Sequence, residues 1–83
     1  MAARVDPELA KALASAPDRV IEAIVRCEGA LDATLAALPG EIEVVHVYRL
    51  IDGAAVRGPA AAIAGLARMP GVTSLEPVRA VST

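Results

Sequence analysis

Eighty-three residues, 55% of them hydrophobic and 22% charged, suffice for one small domain with a thin core, because alanine supplies much of the apolar count and buries little area per residue. The net charge is −2, seven Arg and one Lys are scattered along the chain, and Tyr48 is the only aromatic residue, so neither a basic stripe nor a stacking platform points to nucleic acid. No segment approaches the ~20 apolar residues of a membrane span, no secretory leader opens the chain, and Cys27 has no partner for an internal disulfide, so a cytoplasmic chain without membrane contact is expected; a secreted context stays open if the chain is cut from a zymogen.

In chain order, residues 5–16 form the first expected helix. Asp6 can cap it, Pro7 suits its first position, Glu8 favours its positive end, and Leu9 and Leu13 lie one turn apart. Its apolar stripe is narrow, so residues 1–17 read as an N-terminal helical extension. Residues 19–27 alternate as a strand, with Ile21, Ala23, Val25 and Cys27 on the core side and Glu22 and Arg26 opposite. Gly29 breaks this pattern, and Leu31, Leu35 and Leu38 mark a helix over residues 30–38 that Pro39-Gly40 stops.

Residues 41–50 are β-branched and alternating, and this parity groups His46 with Val44 and Tyr48. Asp52-Gly53 is a turn signal, and residues 54–57 return as a short strand, completing a hairpin. Gly58-Pro59 opens a helix over residues 59–69 with Ile63, Leu66 and Ala67 on its buried stripe. Pro70-Gly71 ends it, and residues 72–78 supply the last strand. The order strand, helix, two-strand hairpin, helix, strand predicts an α+β, ferredoxin-like βαββαβ domain over residues 18–78. Its four-stranded antiparallel sheet carries both helices on one face, and residues 79–83 form a C-terminal tail.

Catalytic material is sparse. There is one His and one Cys; Cys27 ends an apolar strand and reads as a small buried hydrophobe, and His46 reads as a packed or surface-lining imidazole, so no enzymatic activity is expected. Among functions hosted by this architecture, the absence of Asn removes the side chain an acylphosphatase site resembles most, and the absence of Cys-x-x-Cys excludes a thiolate metal site. No metal or other cofactor is expected.

The second half of the chain carries a more specific pattern: His46 and Tyr48 on one strand, Gly53-Ala54-Ala55 after the turn, Ile63 and Leu66 on the helix, and Pro70-Gly71-Val72-Thr73-Ser74-Leu75-Glu76 at the end. In this pattern, and over residues 20–76 more loosely, the chain resembles the propeptide and stand-alone inhibitor family of subtilisin-like serine proteases. The resemblance implies a protease as partner and an open sheet face docked on two of its helices. An acidic residue, Asp52 or behind it Glu76, would sit at the helix N-termini, where free N–H groups favour an anion. It also implies a tail, Ala80, Val81, Ser82 and Thr83, entering the substrate cleft as an added strand with Thr83 at the primary pocket. Each of these residues also has a plainer reading: Asp52-Gly53 is good turn chemistry, Glu76 suits a solvated strand end, and the tail suits a frayed terminus. Two other functions stay open, a non-inhibitory module that binds another protein or itself through its open sheet face or an edge strand, and amino-acid sensing at the loop Glu28-Gly29-Ala30-Leu31.

Overall fold

A computed structural model describes residues 3–78. Along the chain lie β1 (Arg4–Val5), α1 (Pro7–Ser15), β2 (Val20–Arg26), α2 (Leu31–Ala36), β3 (Glu43–Tyr48), a 3₁₀ turn (Arg49–Ile51), β4 (Gly53–Pro59), α3 (Ala60–Leu66) and β5 (Ser74–Pro77). The fold is α+β, with a mixed five-stranded sheet in the order β1-β5-β2-β4-β3. β2 pairs antiparallel with β4 and β5, and β3 pairs antiparallel with β4. β1 pairs parallel with β5, Arg4 beside Ser74 and Val5 beside Leu75. The expected four-stranded, wholly antiparallel sheet is thus corrected to five strands. A two-residue strand has no periodicity to read; β1 forms because the outer edge of β5 offers partners, Arg4 N–H donating to the Thr73 carbonyl at 3.0 Å and Asp6 N–H to that of Leu75 at 3.1 Å.

Local chemistry explains α1. The Asp6 carboxylate accepts from the N–H groups of Glu8 (2.9 Å) and Leu9 (3.3 Å), Pro7 takes the first turn, and Leu9 and Leu13 are buried against the rest of the core. The N-terminal segment is therefore packed into the domain, on α3. That helix begins at Ala60 rather than at residue 59, because Gly58-Pro59 completes β4 opposite Ile21 and Val20. Among the described residues no side chain caps it. Instead the N–H groups of Ala60 and Ala61 donate to the carbonyls of Arg19 (2.8 Å) and Pro17 (2.9 Å), which ties its start to the loop entering β2.

The hairpin also differs from the expected two-residue turn. Tyr48 pairs with Gly53, so four residues, 49–52, make the connection and Gly53 belongs to β4. A Cβ on Gly53 would stand 3.1 Å from the Val25 carbonyl oxygen, a tight contact, so glycine there eases close strand approach rather than turning the chain. The positive φ of the turn falls on Asp52 (φ 49°, ψ 50°), a conformation aspartate tolerates better than most residues.

Ala23 and Val25 of β2, Ala54 and Val56 of β4 and Leu75 of β5 share one sheet face with Leu9, Leu13, Leu31, Ile63 and Leu66 of the three helices in a single core. All three helices therefore cover the same face, and nothing among the described residues covers the other. Ile63, Leu66 and Leu75 are the largest fully buried side chains. Replacing Ile63 with Ala should lower the unfolding free energy by about 2–5 kcal/mol in urea titrations, whereas Leu50→Ser, at a fully exposed position, should change it by no more than about 0.5 kcal/mol.

Candidate functional site

Strand register arranges the uncovered sheet face in three rows. The first is ionic: Glu22 and Glu43 flank Arg57. Arg57 Nη2 lies 2.8 Å and Nε 3.1 Å from Glu22 Oε1, and Nη1 lies 4.0 Å from Glu43 Oε2. The Glu22 hydrogen bond, then its charge and that of Glu43, push the guanidinium further above its already high range, leaving a permanent cation between two carboxylates. The second row runs Glu76, Ile24, Ala55, His46 across β5, β2, β4 and β3. Ala55 is buried between its neighbours, so this row is a shallow apolar floor with an acid at one end and an imidazole at the other. The third row is Ser74, Arg26, Gly53, Tyr48.

A β-bulge sets this pattern on β3. Val44 pairs with Val56 on the core side, and the register then shifts so that His46 pairs with Ala55 and Tyr48 with Gly53 on the open side. The sequence parity that groups Val44 with His46 and Tyr48 is therefore broken at Val45. His46 and Tyr48 remain together, their ring centroids 4.5 Å apart and their planes inclined by 56°. Cys27 belongs to the core on the opposite side of the sheet, so the single thiol and the single imidazole are separated by it.

The two acids named from the sequence occupy different places. Glu76 is half-buried on the open face beside Ile24, at a cavity of about 390 Å³ that Asp6 and Pro77 also line. Asp52 lies at the far end of the hairpin and works within the fold. Its Oδ2 accepts from Gly29 N–H at 3.3 Å, its carbonyl accepts from Cys27 N–H at 2.7 Å, and its own N–H donates to the Arg49 carbonyl at 3.4 Å. These bonds fasten the β3–β4 connection to the loop between β2 and α2. They also occupy the Gly29 N–H of the Glu28–Leu31 loop considered for amino-acid sensing.

β5 runs away from Asp52. Pro77 pairs with Ala23, three residues back along β2 from the Arg26–Gly53 pair, so Asp52 and the root of the tail stand at opposite ends of the sheet, about 13 Å apart along the strand direction. Ala80, Val81, Ser82 and Thr83 lie outside the described residues. The Glu22–Arg57–Glu43 cluster and Ile24 are not marked as site residues by the sequence. The alternation that put Glu22 opposite Ala23 was the available signal, but which residues of β3 and β4 stand beside it depends on register.

Among the described residues no group of three or more His, Cys, Asp or Glu side chains is placed to hold a metal ion, and no helix is long and apolar enough to cross a membrane. Comparison with models of known protein families, with characterised proteins and with solved structures finds no match to this chain.

Burial pushes the Cys27 thiol up, opposed by a hydrogen bond with Thr34 and assisted by the charge of Asp52. Folding thus favours the protonated thiol. The associated stability is fully present below the unfolded thiol pKa of about 8.5 and is lost as pH rises through the higher folded value. Urea midpoints measured from pH 8 to 10 should fall more steeply for this chain than for Cys27→Ala, and the native thiol should react with a disulfide reagent only as fast as the protein opens. Asp52→Ala should destabilise by about 1–2 kcal/mol through its left-handed backbone and the lost Gly29 bond, while Asp52→Gly, which relieves the first cost, should lose less in the same titration.

Proposed function

We propose that this chain is a propeptide-like inhibitor or intramolecular chaperone of a subtilisin-like serine protease, with a ferredoxin-like four-strand unit (β2 to β5) to which β1 and α1 are added. The observation that carries the reading is the open face of an otherwise helix-covered sheet, on which β5, the last strand among the described residues, ends at Pro77, two residues before Arg79 in the sequence. A face with an apolar floor at Ile24 and Ala55, ringed by Glu76, His46, Tyr48 and the Arg57 cluster, has the mixed character of a protein-docking surface rather than of a small-molecule pocket.

In this reading the open face docks on two protease helices. Glu76, on that face, and Asp52, through the carboxylate oxygen that Gly29 does not engage, are the acids offered to helix N-termini. Only two residues of β5 are covered by β1, so Glu76 and Pro77 leave that edge open toward the tail. Residues 80–83 then add as a strand in the cleft, with Thr83 held as a bound product would be. The uncleaved tail blocks the cleft by occupancy, and no chemistry by this chain is required.

Inhibition assays against a panel of subtilisin-like proteases test the reading. Full-length chain should inhibit one of them in the sub-micromolar range, and deleting residues 79–83 should raise the inhibition constant about 100-fold or more, the loss of ~2.7 kcal/mol expected for a central anchor. Inhibition that survives the deletion undiminished rules out tail insertion.

A further inference from the structure

The two edges of the sheet are built differently. At one, β1 has two residues and is followed at once by Asp6 and Pro7, which leave little backbone free to pair. At the other, β3 presents six residues, Glu43–Tyr48, with no proline, lysine or glycine among them, and Val44, Val45 and Tyr48 are all exposed. Leu50 and Ile51, just beyond, are exposed as well. An edge of this kind has unpaired N–H and C=O groups and apolar side chains on the same strip, and among the described residues no strand covers it.

The charges along the strip indicate what fits it. Glu41 and Glu43 stand at its start and Arg49 at its end, so it is acidic at one end and basic at the other. A second copy laid antiparallel brings the acids of each beside the arginine of its partner, twice by symmetry; a parallel arrangement sets acid against acid. Neither end is firmly held within the monomer. Arg49 reaches Asp32 at 3.3 Å with both side chains largely exposed, and Glu43 is 4.0 Å from Arg57.

We propose that two copies of this chain pair through β3, antiparallel about a two-fold axis, so that one sheet runs through both. The bulge between Val44 and His46 interrupts the ladder and shortens the contact, which places the interface below the roughly 1,000 Å² of a tight dimer and makes the association weak. The paired edge is distinct from the open face, so the proposal does not rest on the protease reading and leaves that face free.

Sedimentation equilibrium of the intact chain should show dimer growing in between about 50 µM and 1 mM, the range suited to a small interface. Val45→Lys, at an exposed position, should weaken dimerisation about 10-fold or more by placing a charge on the strip. Arg49→Glu should weaken it about 5-fold, and the triple exchange Glu41→Arg, Glu43→Arg, Arg49→Glu should restore it, because opposite charges again meet across the axis. Circular dichroism checks that each variant is folded; should Val45→Lys not fold, the charge exchange at exposed side chains decides alone. A strict monomer at 1 mM overturns the proposal, as does a dimer indifferent to the Arg49 reversal. The same dimer should form when residues 79–83 are deleted, which separates this test from that of inhibition.

Discussion

Strand β4 is the constraint on which the other elements depend. It lies between β2, along seven residue pairs, and β3, and it is almost wholly buried from Gly53 to Val56. A strand so enclosed carries mostly small side chains: Gly53 passes the Val25 carbonyl so closely that a Cβ there would press on it at 3.1 Å, Ala54 lies under the helices and Ala55 under the open face. Besides Val56 of β4 itself, the bulk of the core comes from Ile63 and Leu66 of α3 above, from Val25 of the neighbouring β2 and from Leu75 of β5 beyond it. The alanine-rich composition thus supports a sheet and a helix that approach each other closely, at the cost of a core with few large residues.

One-sided packing follows. Three helices share a single core on one face, and nothing among the described residues covers the other. That face is neither a plain apolar patch nor a plain charged one. A Glu22–Arg57–Glu43 row, a floor of Ile24 and Ala55, and the His46–Tyr48 pair divide it into strips, as suits a surface that must stay in water when unbound and release water when docked.

Some residues with functional promise are engaged in holding the fold. Asp52 is bonded through its carboxylate, its carbonyl and its N–H to three separate loop positions, so any contact it makes with a partner is added to a structural role. The N-terminal segment, which reads as an appendage by its narrow stripe, supplies Leu9 and Leu13 to the core and a short strand to the sheet. Its covering of one sheet edge leaves β3 as the long exposed edge, an asymmetry created by two residues.

Most helices and strands were legible from period and punctuation alone: Asp6-Pro7 announces α1, the alternation about Ala23 and Val25 gives β2 and its core face, and Ile63 and Leu66 mark α3. These are local signals, carried by neighbours in the chain whose spacing directly reflects backbone geometry. Their ends were less legible, because where β4 gives way to α3 depends on Arg19 and Pro17 carbonyls far along the chain. Only the tertiary structure decided that β1 exists, that Val45 breaks the parity of β3, that Gly53 serves strand approach rather than the turn, and that Glu76 and Asp52 stand apart on the sheet. Each of these is a matter of register between strands distant in sequence, and register is set by the packing of both partners together, which no single stretch of residues encodes.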